Sequence, residues 1–496
     1  MRFAEDEAQF EELFGPVLME LGATMRREGL LGRFLESLEA IAVLLAHPLM
    51  RTVGMRGEAW KPETAPPAEL PKSSLLAGML SVGVDEEDMS ALIALLPERD
   101  PLYVAPRDSA YAALRSQIHL LASQVHQLLY GLVRSNTSCR EAVLDWFGWL
   151  AGRNADRLKM HVEAATVTPD RVMANAYLVL LCFCEPFLGP FEAKLALIDP
   201  LYHVRSDRIA SVLDATKNNA DTKEYASFVA RIHSEHPQGY TAHFVSECFF
   251  LTLHYFRLGP VRMISKEMEL LRELNETQQA VEMFEQSQSA EQSHVSPLNA
   301  LALANAKKKI QALRDVKLAL DVYLLDVRVI EDSLSLVLLL ATWLLRLVNG
   351  DGPATTMFRM LPESLVESLG EYCLFVSRFQ PDVWLRTPRP LEPLFRLMVA
   401  LLDQPSLLRN PYLRAKFVDI LLGFTDPHLE HLLAADPVLI THLAPKLMRF
   451  YIEVEVTGAS SQFYDKFNIR YSVTAIFKTL WRRHPAHRQR LIDCSR

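Results

Sequence analysis

Residues 246–259 read Ser-Glu-Cys-Phe-Phe-Leu-Thr-Leu-His-Tyr-Phe-Arg-Leu-Gly. Cys248, Phe249, Phe250, Leu251, Leu253, Tyr255, Phe256 and Leu258 leave such a helix almost no polar face. A helix that is apolar nearly all round must be covered on several sides by other helices. This stretch therefore demands a fold with helices enough to enclose it.

The rest of the chain supplies them. Apolar residues recur at helical spacing in Leu18, Leu21 and Met25, in Leu35, Leu38, Ile41 and Leu44, and in Leu114, Ile118, Leu121, Val125 and Leu128. Val143, Phe147 and Leu150 continue the pattern. Lys61–Lys72 is Pro-rich and reads as a loop that cannot be regular helix. Two facing apolar sets, Ile264, Met268, Leu271, Leu274, Val281 and Phe284 against Leu303, Ala306, Ile310, Leu313, Leu320, Leu324 and Val327, predict a long hairpin over about 262–328, joined by the polar stretch Ser287–Ser296. Its first arm carries Glu267, Glu269, Glu273, Glu276, Glu282 and Glu285. Its second carries Lys307, Lys308, Lys309, Arg314 and Lys317. Antiparallel pairing would bring these charges into register, each exposed pair contributing at most about 1 kcal/mol.

From Pro353 onward the pattern predicts short helices started by proline. Asn410-Pro411 and Asp436-Pro437 place a capping side chain before a proline suited to the first helical position. Tyr451–Val456 is the one strand-like patch. No repeat has a fixed length, so the expected fold is all-α, an irregular, elongated helical-repeat solenoid with a long hairpin near the middle.

Composition narrows the function. The chain has 496 residues, half of them hydrophobic, with only 19 glycines. A net charge of −8 predicts no general affinity for nucleic acid. The six cysteines, at 139, 182, 184, 248, 373 and 494, sit mostly in apolar runs, as buried thiols do in a reducing compartment. No basic-then-apolar leader opens the chain. Leu334–Leu345 is too short to span a bilayer, and Glu185, Pro186 and Pro190 are expected to interrupt the run from Ala176 to Phe191, so membrane insertion is not expected.

No residue set carries familiar chemistry. Cys182-x-Cys184 lacks a second ligand pair nearby. Cys248 would need an activating base, and His254 lies six residues on, off the same helical face. His233, His236 and His243 cluster in what reads as a solvated loop with Pro237 and Gly239. Arg482, Arg483, His484, His487, Arg488 and Arg490 read as a solvated helix end. There is no phosphate loop, GxGxxG, GxSxG or HExxH pattern. The expectation is no catalytic, cofactor-binding or metal-binding residue.

Several segments, in order, resemble the core of the ubiquitin conjugation factors, the U-box proteins of the ubiquitin-fusion-degradation type that elongate ubiquitin chains. They are Arg140–Phe147 (REAVLDWF), Cys184–Leu188 (CEPFL), Ile198–Tyr202 (IDPLY), Cys248–Thr252 (CFFLT), Glu367–Val383, Asn410–Lys416 (NPYLRAK) and Phe463–Tyr471 (FYDKFNIRY). Each reads as caps and packing, with Pro186 stopping a helix. The resemblance covers most of the chain and implies an armadillo-like curved rod over residues 1–496. It implies polyubiquitylation in protein degradation, in cytoplasm and nucleus. The implied partners are an AAA unfoldase, ubiquitylated substrates, shuttle proteins bearing ubiquitin-like domains, and a ubiquitin-conjugating enzyme held by a C-terminal U-box. Thr425-Asp426-Pro427 and Asp436-Pro437-Val438 lack the Pro-Ser-Gly turn of a U-box, so that domain is expected to be absent from these residues and the chain to be inactive alone. The alternatives are a non-catalytic helical-repeat adaptor without a U-box and, on fold analogy, a helical-repeat transport receptor.

Overall fold

A computed structural model describes residues 2–55, 57–85, 89, 105–189, 192–212, 215–235, 240–291, 297–387, 389–456 and 463–494. The regular structure among them is helical, the extended pairing being confined to an isolated bridge between Lys217 and Pro362. Helices of nine residues or more are numbered here. The chain forms two compact units, 1–183 with 254–329 and 184–253 with 330–496.

In the first unit, α1 (Arg2–Glu28) and α2 (Phe34–Ala46) pair through Leu18, Met25, Phe34, Leu38 and Ile41, all buried. Helix α3 (Ala105–Ser135) packs on α4 (Thr137–Arg153), which starts where Asn136 accepts the Cys139 N–H at 2.9 Å. The Pro-rich segment 61–72 is not wholly loop. Pro67–Glu69 makes a 3₁₀ turn and Leu70–Ser73 a short helix, with Pro67 and Pro71 in first turns, where a missing N–H costs little. Arg153 and Trp149 of α4 fasten it, donating to the Glu63 carbonyl at 3.0 Å and the Glu63 carboxylate at 3.1 Å.

Helix α5 (Asp170–Leu188) bears on two expectations. It runs past Pro186, which sits in its last turn, and ends two residues later at Leu188. It is also long and apolar enough to cross a membrane, although 78% of that apolar stretch is buried within the protein. Pro190 lies outside the described residues.

Helix α6 (Thr222–Glu235) precedes the largely apolar α7 (Phe244–Phe256). From Val245 to Phe256 every α7 residue is buried. A π-helical turn, Arg257–Val261, then leads into α8 (Arg262–Glu291), which forms the expected hairpin with α9 (Pro297–Leu324). Residues 292–296 of the connecting stretch lie outside the described set.

The second unit holds α6 and the first ten residues of α7. Its core is built where α10 (Val327–Val348) presents Trp343 to Phe249 and Phe250, each ring pair 5.7 Å apart. Phe250 also stacks on Tyr202 at 4.8 Å. Tyr202 donates to Glu247, which accepts from Arg208 at 2.5 Å, so the 198–202 motif closes a buried polar network. Residues 216–219 thread between helix ends, with Asn218 N–H on the Leu361 carbonyl (3.0 Å) and Asn218 carbonyl accepting from Arg409 (2.9 Å).

Beyond α11 (Gly352–Met360) the helices stack in two layers. Helix α12 (Glu363–Phe379) packs on α14 (Pro411–Gly423), and α14 on α16 (Phe463–Arg483). Helix α13 (Glu392–Leu402) packs on α15 (Pro437–Val456), and α15 on α17 (Pro485–Cys494). This is a helical-repeat arrangement. The helices are not uniformly short, since α12, α15 and α16 run 17, 20 and 21 residues. Tyr451–Val456 is not strand but the end of α15. Leu447, Phe450 and Val454 bury one face of that helix, and this packing overrides the strand preference of the β-branched residues.

Asn410 caps α14 by accepting from the Tyr412 N–H at 3.0 Å, and also donates to Glu363 at 2.6 Å. Asn410→Ala is expected to cost about 0.5–2 kcal/mol for the cap, plus about 1 kcal/mol for the second bond. Phe250→Ala is expected to cost about 3–5 kcal/mol. Denaturant unfolding measures both, and a loss under about 1 kcal/mol for Phe250→Ala would mean the α7 core is not packed as described.

Candidate functional site at the base of the hairpin

The residues weighed for chemistry are used structurally. Cys139, Cys184, Cys248 and Cys373 are buried. Burial, with Cys184 and Glu247 nearby, pushes the Cys248 thiol well up, and burial does the same to Cys373, opposite to what a nucleophilic thiolate needs. Cys184 Sγ lies 3.0 Å from Thr252 Oγ1. Burial and Arg257 lower His254 to about 4, so it stays neutral.

Of the three expected loop histidines, His233 and His243 are exposed, as expected, but they lie on separate elements. His233 lies in the last turn of α6, 3.2 Å from the Val204 carbonyl, and His243, just before α7, accepts at Nδ1 from the Val245 N–H at 3.1 Å. His236, Pro237 and Gly239 lie outside the described residues. The basic C-terminal cluster is only partly solvated. His487 is fully buried, 3.0 Å from the Leu433 carbonyl, and Arg490 donates to the Thr441 carbonyl at 2.9 Å. No group of three or more metal-ligating side chains occurs among the described residues.

A cluster of paired charges lies in the first unit, where the hairpin leaves the π turn. A cleft of about 480 Å³ is lined there by Asp85, Arg157, Asp170, Arg171, Arg262 and Lys266, among others. Its centre is Arg157, whose side chain is 3% exposed. The guanidinium donates to the Leu258 carbonyl at 2.9 Å, to the Thr168 carbonyl at 2.7 Å and to Asp170. Lys266, in the first turns of α8, reaches the other Asp170 oxygen at 2.8 Å. Burial alone would raise the Asp170 carboxyl, but Arg157 and Lys266 outweigh it and hold the carboxyl at about 2. Arg171 pairs with Asp85, and Arg262 lies 3.6 Å from Glu269. Every cation of the cleft named here thus faces a carboxylate, so the site is a clamp, not a receptor for a free anion.

The hairpin charges pair as expected along the exposed arms, with Lys307–Glu285 at 2.8 Å and Lys309–Glu273 at 2.7 Å. The base differs. Glu267 is fully buried, with Lys317 at 3.5 Å. Lys317 in turn sits 2.8 and 2.7 Å from the two Asp321 oxygens. Burial and the nearby Asp321 raise the Glu267 carboxyl to about 7 despite Lys317. The sequence already held this signal, since Glu267 falls on one face with Ile264, Leu271 and Leu274. Arg157, Asp170 and Lys266 are far apart in sequence and carried none.

Helix α3 closes the base. Arg115 donates to the Asp321 and Val322 carbonyls at 2.9 and 3.0 Å, and His119 Nε2 lies 2.8 Å from Asp326.

Glu267 makes a signed prediction. Its folded value lies above the ordinary 4.5, so its contribution to stability is full below about pH 4.5 and is lost as pH rises through about 7. Glu267→Gln is expected to flatten the pH dependence of Tm across that window. An unchanged slope would place the titration elsewhere.

Known proteins share this architecture's sequence. A family profile described as "Ubiquitin elongating factor core" matches residues 100–496. The ubiquitin conjugation factor E4 of Schizosaccharomyces pombe is 27% identical over 507 residues, covering 97% of this chain and 49% of that protein. The E4 ubiquitin-protein ligase UFD2 of Saccharomyces cerevisiae is 25% identical, covering 86% of this chain and 48% of its own length. The probable ubiquitin conjugation factor E4 of Arabidopsis thaliana is 27% identical, covering 77% and 40%. The chain spans half or less of the length of these relatives. With most of its residues matched by that profile, and with an all-helical fold, the chain belongs to the ubiquitin elongating factor core family.

Proposed function

We propose that this chain is the core scaffold of a ubiquitin chain-elongation factor in ubiquitin-dependent protein degradation. The observation that carries the reading is the family match over residues 100–496. The buried thiols support a scaffold over a ubiquitin carrier, because Cys248 and Cys373 are shifted away from the thiolate form. In this reading the helical frame positions a substrate already bearing a short chain, together with an AAA unfoldase, in cytoplasm and nucleus. Shuttle proteins with ubiquitin-like domains deliver such substrates. A ubiquitin-conjugating enzyme held beside the acceptor lysine performs the transfer, where proximity supplies much of the rate.

A reconstituted elongation assay tests this. With activating enzyme, conjugating enzyme and a short-chained substrate, the 496-residue chain is expected to leave the substrate unextended and to form no reductant-sensitive ubiquitin adduct. Joined to a U-box it is expected to extend the chain, unaffected by replacing any of the six cysteines with serine. Extension by the chain alone, abolished by one cysteine replacement, would make that cysteine catalytic and overturn the scaffold reading.

A further inference from the structure

Helix α16 is covered on one side by α14, α15 and α17, and carries exposed aromatic side chains on another. Val473, Ile476 and Leu480 are completely buried on the inner side, where Ser472 Oγ lies 3.1 Å from Asp419 of α14. On the outer side Phe467 is 63% exposed, Tyr471 67% and Trp481 48%. Thr474 and Lys478 between them are exposed as well. The positions 467, 471, 474, 478 and 481 step by four and three residues alternately. That is the seam along which one helix lies against another. It runs about 21 Å at 1.5 Å per residue. Helix α16 packs on α14, α15 and α17, and this packing leaves Phe467, Tyr471 and Trp481 exposed. The open face therefore has the shape a further helix fits.

Its charge says what kind of helix. None of the five seam positions is acidic. Lys478 lies in the seam and Arg482 borders Trp481, and neither has an ion-pair partner among the described residues. The other cations of α16 near it are engaged. Arg470 lies over the Tyr451 ring and pairs with Glu455, and Arg483 reaches Glu430 at 3.9 Å. Aromatic side chains bordered by unpaired cations match apolar knobs flanked by carboxylates, and Tyr and Trp are the side chains that most often dominate such contacts.

We propose that the Phe467–Trp481 face of α16 docks an acidic amphipathic helix of a partner protein. The test is a display library of 18-residue helical peptides panned against the whole 496-residue chain. Enriched sequences are expected to carry apolar residues at helical spacing flanked by Asp and Glu. As synthetic peptides their affinity should weaken with added salt and fall about tenfold or more with Tyr471→Glu or Trp481→Ala. The double variant Lys478→Glu/Arg482→Glu should turn the preference toward basic peptides. These side chains are exposed, so an unchanged Tm in each variant confirms that folding is not what is read. No enrichment, enrichment without acidic bias, or binding indifferent to Tyr471→Glu overturns the proposal. So does concentration-dependent dimerisation in sedimentation that Tyr471→Glu abolishes, which would assign the face to a second copy of the chain.

Discussion

The first unit depends on one buried guanidinium. The π turn at Arg257–Val261 interrupts regular helical hydrogen bonding, and Pro260 brings no N–H to repair it. Arg157 donates to the Leu258 carbonyl inside this turn and anchors it. A buried cation then requires an acid, and Asp170 provides it. Asp170 in turn holds Lys266, which begins the hairpin. Gly259 belongs to the same arrangement, because a Cβ there would stand 3.1 Å from the Met173 carbonyl of α5. The gain from such a buried ion pair over an apolar substitute is small, but removing one partner costs about 3–5 kcal/mol. The clamp therefore fixes the hairpin's direction more than it adds stability.

The hairpin shows the same contrast along its length. Lys307–Glu285 and Lys309–Glu273 are half-exposed on both sides and contribute little. Lys317 lies between two carboxylates, and there burial of Glu267, with Asp321 nearby, moves its titration toward neutral pH against the pull of Lys317. The arms can fray at little cost, while the base is tied through Arg115 and His119 to α3. Local stability should thus rise from tip to base.

The fold was readable from the sequence where burial is one-dimensional. The largely apolar run 246–259, the Asn410-Pro411 and Asp436-Pro437 starts, and the facing apolar sets of the hairpin each express a local rule. The failure came where tertiary packing overrides local preference. The β-branched residues at 452, 454 and 456 looked like a break in helix, and packing carried the helix through them. The clamp was invisible for another reason. Arg157, Asp170, Leu258 and Lys266 meet only because the chain returns to the same place after 101 and 96 residues, and no periodicity encodes that. Glu267 was visible by its helical register, but it was grouped with the other glutamates as a solvated face.

The two kinds of ordering suit a scaffold. The second unit's layered helices bury one apolar stripe each against the next, so positions along the stack are set by side-chain packing and by buried links such as Arg414, which grips Glu453 with two bonds of 2.7 Å. Packing of this sort is rigid because close-packed interiors do not deform gradually. A rigid stack exposes a second apolar stripe only at a cost in solvation, unless something covers it. Phe467, Tyr471 and Trp481 expose such a stripe on α16, while Val473, Ile476 and Leu480 already satisfy the fold's own demand for burial. Stability of the described fold does not account for the outer aromatics; recognition does.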